Sequence, residues 1–261
     1  MLKLINIVIK MSNNLSYINS QTAKNGYMEE ELVCSDLNSI TVRHSFLPML
    51  GNSYNECIRI NGSHKCDIQS TNQNLKAQVK KYKIGQFQQL DRHWISNFLE
   101  NIPELDEISQ VLIDLIELPL LPNGTHIDKS KQRKKLCSSN YDNETLDNFL
   151  VLFNNFKRRI LEYAFYGNNN EMKPEYLIGV EYKKETRVKI VTFKIEDIID
   201  YLEKLDFKIS PKKTVILLGD KGIISLQRKG GDSGKKTSNH LQIKIKVSYL
   251  IDNVHYLEHI L

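Results

Sequence analysis

The chain is poor in the residues that staple, anchor or coordinate: its 261 residues include four cysteines, one tryptophan and six prolines. Cys34, Cys57, Cys66 and Cys137 make no C-x-x-C pair and no dense spacing. That excludes a disulfide scaffold or a zinc ribbon and predicts reduced thiols in a cytoplasmic protein. His255 and His259 fit one helix face, but no third ligand candidate stands near them, so they read as surface residues. Long apolar runs are missing too. The opening MLKLINIVIK is too short to span a bilayer and no small-residue cleavage site follows it, so neither secretion nor a membrane partner is expected. Residues 1–19 are expected to be a flexible extension, with Met11 an alternative start.

A complete phosphate-binding loop is also absent. Gly230-Gly-Asp-Ser-Gly-Lys-Lys-Thr237 lacks both the four-residue gap between glycines and the Ser or Thr directly after the first Lys, which argues against nucleoside triphosphate hydrolysis. Nor does one sign of charge dominate, since 36 basic and 31 acidic residues leave +5. Apolar residues at 41% and charged residues at 26% describe an ordinary folded chain, long enough to bury a substantial core.

The charge that is present is unevenly placed. Between Lys204 and Lys246 eleven Lys or Arg meet only Asp206, Asp220 and Asp232, a local excess that suits a polyanionic partner. Within it Gln227, Arg228, Lys229, Asp232, Lys235, Lys236, Asn239 and Gln242 are candidate DNA contacts. Arg and Lys pair with guanine edges and Gln or Asn with adenine edges, while the lysines suit phosphates better. Arg92 and His93 are further candidates for phosphate or a dimer contact, although a packed helix with polar edges explains them equally well. Trp94 is expected in the core.

Periodicity predicts a first amphipathic helix at 26–37, then a strand-rich segment. Helical spacing is expected from Gln86 to Leu118, with Pro103 starting a new helix. Residues 122–143, rich in Pro, Gly, Asn and Ser and containing the run Lys129 to Lys135, read as a mobile, solvated loop or linker. Helix is expected again from Glu144 to Phe165, ending near Gly167. Strands follow at Tyr176 to Tyr182 and Arg187 to Phe193, a helix at Glu196 to Leu205, and strands at Thr214 to Leu218, Gly222 to Gln227 and Leu241 to Val247. The fold class is therefore α/β, a central mixed sheet with helices on both faces and a helical subregion.

The most specific chemistry lies in Lys65-Cys-Asp-Ile68 and Leu75-Lys-Ala-Gln-Val-Lys80. The second segment alternates, so Gln78 and Lys80 point the same way. The polar stretch Gln69 to Asn74 has hairpin character and would return the chain antiparallel, bringing Asp67 to the same place. Phosphodiester cleavage uses a divalent ion to stabilise charge on the phosphate and to acidify water, and Mg2+ takes oxygen ligands. Asp67 supplies an anionic ligand, Gln78 a neutral carbonyl, Val79 a backbone carbonyl, and Lys80 a cation for the transition state. Such a spacing also occurs in many proteins without this chemistry. Asp232 with Gln242-x-Lys244 spells the same pattern in a flexible basic loop, and Glu181-x-Lys183 half of it.

Together with Gly85-Gln-Phe-Gln-Gln-Leu-Asp-Arg-His-Trp94, and Gln227-Arg-Lys-Gly-Gly-Asp232 ahead of Leu241-Gln-Ile-Lys244, these residues give a chain that resembles the type II restriction endonucleases of the PD-(D/E)xK superfamily. Gln78 replaces the usual last acid, a departure that some of those enzymes share and that leaves the number of metal ions open. The resemblance implies a restriction-endonuclease-like fold and Mg2+-dependent, sequence-specific hydrolysis of double-stranded DNA to 5′-phosphates. It also implies a cognate DNA methyltransferase as genetic partner and admits a homodimer. Many such enzymes carry an upstream glutamate on the first helix, soon after a glycine, as in Gly26-Tyr-Met-Glu-Glu-Glu31. Helix phase selects Glu30, four residues after Gly26 and three before Val33, with Glu29 the alternative and all three acids solvated as the plain reading. Residues 20–261 are then one nuclease domain: a catalytic core at 20–100, a helical subregion at 101–170 and a β-rich, basic, DNA-recognising part at 171–261. A repair or junction-cleaving nuclease of the same fold, and a DNA-binding protein without catalysis, remain open.

Overall fold

The computed structural model describes residues 21–50, 56–62, 65–72, 74–168, 172–230 and 234–261. The expected N-terminal extension and Asp232 lie outside the described residues. Two helices open the chain, α1 (Gln21–Asn38) and α2 (Ile40–Leu50). Strands β1 (Cys57–Arg59), β2 (Ile68–Ser70), β3 (Lys76–Tyr82) and β4 (Gln88–Trp94) follow. Next come α3 (Ile95–Asn101), a 3-10 turn from Pro103, α4 (Ser109–Ile116), α5 (Asn143–Asn155) and α6 (Lys157–Tyr166). The last third holds β5 (Tyr176–Lys183), β6 (Thr186–Lys194), α7 (Ile195–Leu202), β7 (Phe207–Ile209), β8 (Val215–Leu218), β9 (Ile224–Arg228), β10 (His240–Ile245) and β11 (Tyr256–Ile260).

The strands form two sheets. The first has the order β1-β2-β3-β5-β6-β11 and is mixed, because β3 and β5 run parallel while the other pairs are antiparallel. On one face of it Val33, Leu37, Val42 and Phe46 of α1 and α2 bury Ile68, Ala77, Val79, Ile178 and Val180. The other face, with Tyr82, Leu177, Val191 and Phe193, belongs to the larger core that α3 to α7 share with the second sheet. Gly179 of β5 permits that close layer: a Cβ there would lie 2.9 Å from Val247 and 3.0 Å from Tyr82.

The second sheet, β4-β10-β9-β8-β7, is wholly antiparallel. In β10 burial alternates strictly: Leu241, Ile243 and Ile245 face the core, while His240, Gln242 and Lys244 are half-exposed. This sheet therefore has one packed and one open polar face.

Several local expectations change. Gln88 to Trp94 is a strand rather than the start of a helix, because pairing with β10 satisfies its backbone; Ile95 begins the helix. Arg92, His93 and Trp94 consequently stand on a sheet edge, and Trp94 is half-buried, edge-on to His240 with centroids 4.1 Å apart, rather than in the core. Residues 122–143 are a packed loop rather than a mobile linker: Ile127 and Leu136 are buried, and their backbone N–H groups bond Gly234 and Lys213. Of the C-terminal histidines, His255 precedes strand β11 and His259 lies within it, its Nδ1 2.8 Å from Ser45 Oγ, so they do not share a helix. The Glu144 to Phe165 helix breaks in two at Phe156, and Asp142 caps its start by accepting from Thr145 N–H.

Candidate active site

The polar stretch 69–74 does turn the chain back: Ile68 pairs with Ala77 antiparallel. Asp67 donates its backbone N–H to Ala77 O at 2.9 Å, and its carbonyl accepts from Ile60 N. Its carboxylate Oδ2 accepts from Val79 N at 2.8 Å. The acid is thus fastened to the strand that carries Gln78 and Lys80, by a bond to the residue between them.

Gln78 is 3% exposed, and its carbonyl oxygen has no hydrogen-bond partner among the described residues. A buried amide oxygen left unmet costs about 1–3 kcal/mol, so packing alone does not account for it. An amide oxygen is a hard neutral donor of the kind a small divalent cation accepts. Lys80, two residues on, shares its side of β3 and is half-buried.

The acidic run on α1 is sorted by the fold. Glu31 is exposed, whereas Glu29 is buried against Arg187 at 3.0 Å and accepts from the Tyr182 hydroxyl, a structural role. Glu30 accepts from Arg59 Nε at 2.7 Å, and Arg59 lies over the Tyr27 ring. Burial, followed by the negative charge of Asp67, pushes the Glu30 carboxyl above its ordinary range against the pull of Arg59 and Lys80. Glu30 thus lies within reach of the Asp67 and Lys80 charges. Beside it is a cleft of about 280 Å³ lined by Asn25, Gly26, Glu29, Glu30, Val79 and Lys81.

Among the described residues no three His, Cys, Asp or Glu side chains gather as a metal cluster. The candidate donors are of another kind: the Asp67 and Glu30 carboxylates, the unmet Gln78 amide oxygen and the Val79 carbonyl. Hard oxygen donors of that sort fit magnesium.

A neighbouring cluster escaped sequence reasoning. Lys65 Nζ is buried against Asp91 Oδ1 at 2.6 Å and the carbonyls of Ala164 (2.9 Å) and Leu90 (3.2 Å). Burial lowers its pKa to about 8 despite Asp91. His93 Nε2 lies 2.8 Å from the same Asp91 oxygen, so His93 turns inward. The one sequence signal was the position of Lys65, two residues before Asp67.

On the second sheet, register places Arg92, Gln242 and Gln227 in one row across β4, β10 and β9, so they share a face. Gln242 donates to Gln89 Oε1 at 2.6 Å on that face. Arg228, Lys235 and Lys236 are exposed and Lys229 is half-buried. Asn239 departs from expectation: it is buried, its amide donates to Leu118 O and accepts from Leu118 N and Arg133, so three of its four hydrogen-bonding positions are already taken inside the protein. Neither Arg133, whose charge acts on Arg228, nor Gln89 was singled out by sequence.

The fold and site define a class before they define a family. The structure is similar to that of restriction endonuclease MspI in complex with its cognate DNA, at a TM-score of 0.54 and 12% identity over 86% of this chain and 91% of that one. The shared architecture is a mixed sheet flanked by helices, the restriction-endonuclease-like α/β fold. The family model of the R.HinP1I restriction endonuclease matches residues 53–251. The chain belongs to that family and is a type II site-specific endodeoxyribonuclease. No curated protein matches it.

Proposed function

We propose that the protein hydrolyses phosphodiester bonds of double-stranded DNA at a specific sequence, with Mg2+ and release of 5′-phosphates, in the cytoplasm of a cell that carries a matching methyltransferase. The observation that carries this reading is the buried, unmet carbonyl of Gln78 on the strand to which Asp67 is bonded. Asp67, Gln78, the Val79 carbonyl and Glu30 hold the ion, which supplies charge stabilisation at the phosphate and a more acidic water. Lys80 places its ammonium where negative charge grows on the transferring phosphoryl oxygens. The Val79 N–H keeps the Asp67 carboxylate in one orientation, and Arg59 does the same for Glu30, so little reorganisation is needed when substrate arrives.

Gln227, Gln242 and Arg92 face bases from the open side of the sheet and Arg228, in register with Leu241, reaches DNA from the exposed end of β9, while Lys229, Lys235 and Lys236 meet phosphates. Residues 20–261 act as one nuclease unit, single or paired with a second copy. Long duplex DNA incubated with the protein and magnesium tests the proposal. Discrete fragments with 5′-phosphates are expected; intact DNA, or preference for branched substrates, would overturn it.

A further inference from the structure

The side chains proposed to cut stand on β3 and those proposed to read stand on β4, β10 and β9, in different sheets. A sequence-specific nuclease has to tie the two together, and the buried Lys65 cluster is where they meet. Lys65 leads directly into Asp67, and among the described residues its ammonium bonds groups outside the first sheet: Asp91 and the Leu90 carbonyl of β4, and the Ala164 carbonyl of α6. The Asp67 charge acts on the same ammonium, and the aliphatic stem of Lys65 lies on Gly167, where a Cβ would come within 3.3 Å of Lys65 Cγ.

Asp91 is equally committed. Its Oδ1 takes the Lys65 ammonium, the Arg92 N–H at 2.8 Å and the His93 ring, while its buried Oδ2 has no hydrogen-bond partner among the described residues. A buried ion pair is a poor device for stability, since an apolar pair of similar volume often serves as well or better. Geometry offers a different role. Asp91 and His93 lie on the inner face of β4, while Arg92 between them stands on the reading face in the row of Gln242 and Gln227.

We propose that Lys65 and Asp91 are a positioning pair that makes the placement of Asp67 depend on how β4 sits on DNA, so that correct reading sets the cleavage centre. The proposal rests on the site assignment made above. When β4 settles into a cognate groove, Asp91 and the Leu90 carbonyl carry Lys65 with them, and Lys65 fixes the turn into Asp67. A non-cognate fit leaves that turn misplaced.

The test uses the full chain with Lys65→Met and Asp91→Leu combined, which removes both charges together while the Leu90 and Ala164 carbonyls, the Arg92 N–H and the His93 ring lose that partner. Expected are a lowered thermal midpoint that still lies above the assay temperature, a Kd for cognate duplex within about threefold, and a single-turnover cleavage rate reduced about 10–100-fold. The ratio of cognate to one-base-altered cleavage should fall as well, and Lys65→Arg should restore part of the rate. Wild-type cleavage with wild-type discrimination, or a loss of affinity that accounts for the whole rate loss, overturns the coupling. Should the double variant not fold, amide exchange of the wild-type protein without divalent cation decides. Cognate duplex should protect residues 65–67 along with 91–93, whereas protection confined to 91–93 overturns the proposal. Asp67→Ala run alongside keeps the two ideas apart: its retained cleavage would remove the site assignment itself, whatever the double variant does.

Discussion

Two strands of this protein spell the same tripeptide pattern, Gln78-x-Lys80 on β3 and Gln242-x-Lys244 on β10, and the fold gives them different surroundings. On β3 both faces of the sheet are covered, so Gln78 is buried and its oxygen unmet. On β10 one face is open, so Gln242 is half-exposed and bonded to Gln89. An acid is fastened beside the first through the Val79 N–H. The spacing of side chains on a strand is local, whereas chemistry depends on what the sheet leaves dry.

The largest effect expected from this contrast is on the β3 side. Asp67→Ala or Lys80→Ala should cut the single-turnover rate by at least about 10²–10³-fold while leaving cognate binding within a few-fold, because the lost interaction is strongest in the transition state. Lys244→Ala should leave the cleavage step at its wild-type rate under saturating protein. A wild-type rate in Asp67→Ala, or its collapse in Lys244→Ala, would reverse the assignment of the two strands.

A subtler separation lies in the glutamines. Gln78→Ala should raise the magnesium concentration needed for half-maximal rate, and Gln78→Glu should retain metal binding and some activity. Gln242→Ala should instead weaken cognate binding by about 1–3 kcal/mol with magnesium dependence unchanged. Titrating magnesium against rate, and duplex against fluorescence, gives each variant its column.

Arg228→Ala should weaken cognate binding by a similar amount of about 1–3 kcal/mol and relax preference at one position if it reads a base. Equal weakening on scrambled duplex, with a salt slope smaller by about one, would assign it to phosphate. Asn239→Ala should act on stability alone, by about 1–3 kcal/mol in urea unfolding, because both backbone groups of Leu118 lose their partner.

The smallest effect concerns the loop packed beside the reading sheet. Burial would raise the Asp114 carboxyl, but hydrogen bonds from Lys134, Gln110 and Tyr141 and the Lys134 charge outweigh it and hold it below its ordinary value. Stability from that depression is present above the unfolded carboxylate pKa and is lost as pH falls through the lower folded one. Asp114→Asn should flatten this acid limb in unfolding midpoints measured from about pH 5 to pH 2; an unchanged slope would show that Lys134 is not held there.

The hairpin that gathers Asp67, Gln78 and Lys80 was legible because its signals are local: alternation, a polar turn and a short return. Five strands of the last third, β5, β6, β8, β9 and β10, were legible for the same reason, each within a few residues, whereas the short β7 and the C-terminal β11, which pairs with β6, were not. β4 was not, since Leu90 and Trp94 fall at helical spacing and the pairing that makes a strand of them comes from β10, about 150 residues on. Asn239 misled because residue type does not reveal burial; the Leu118 backbone that claims its amide is far away in sequence. Ile127 and Leu136 are single apolar residues among polar ones, too isolated to announce a packed loop. Lys65 was passed over because its partners, Asp91 and Ala164, are brought to it only by the meeting of two sheets.

Between Tyr82 and Gln88 the chain passes from one sheet to the other in five residues, turning at Gly85 with φ +74° and bonded there to Ser248. On the proposed reading, scissors and template are thus consecutive stretches of one thread, and β4, tied at its inner face to Lys65, cannot be swapped for another strand without breaking the buried pair that reaches back to the residue before Cys66 and Asp67.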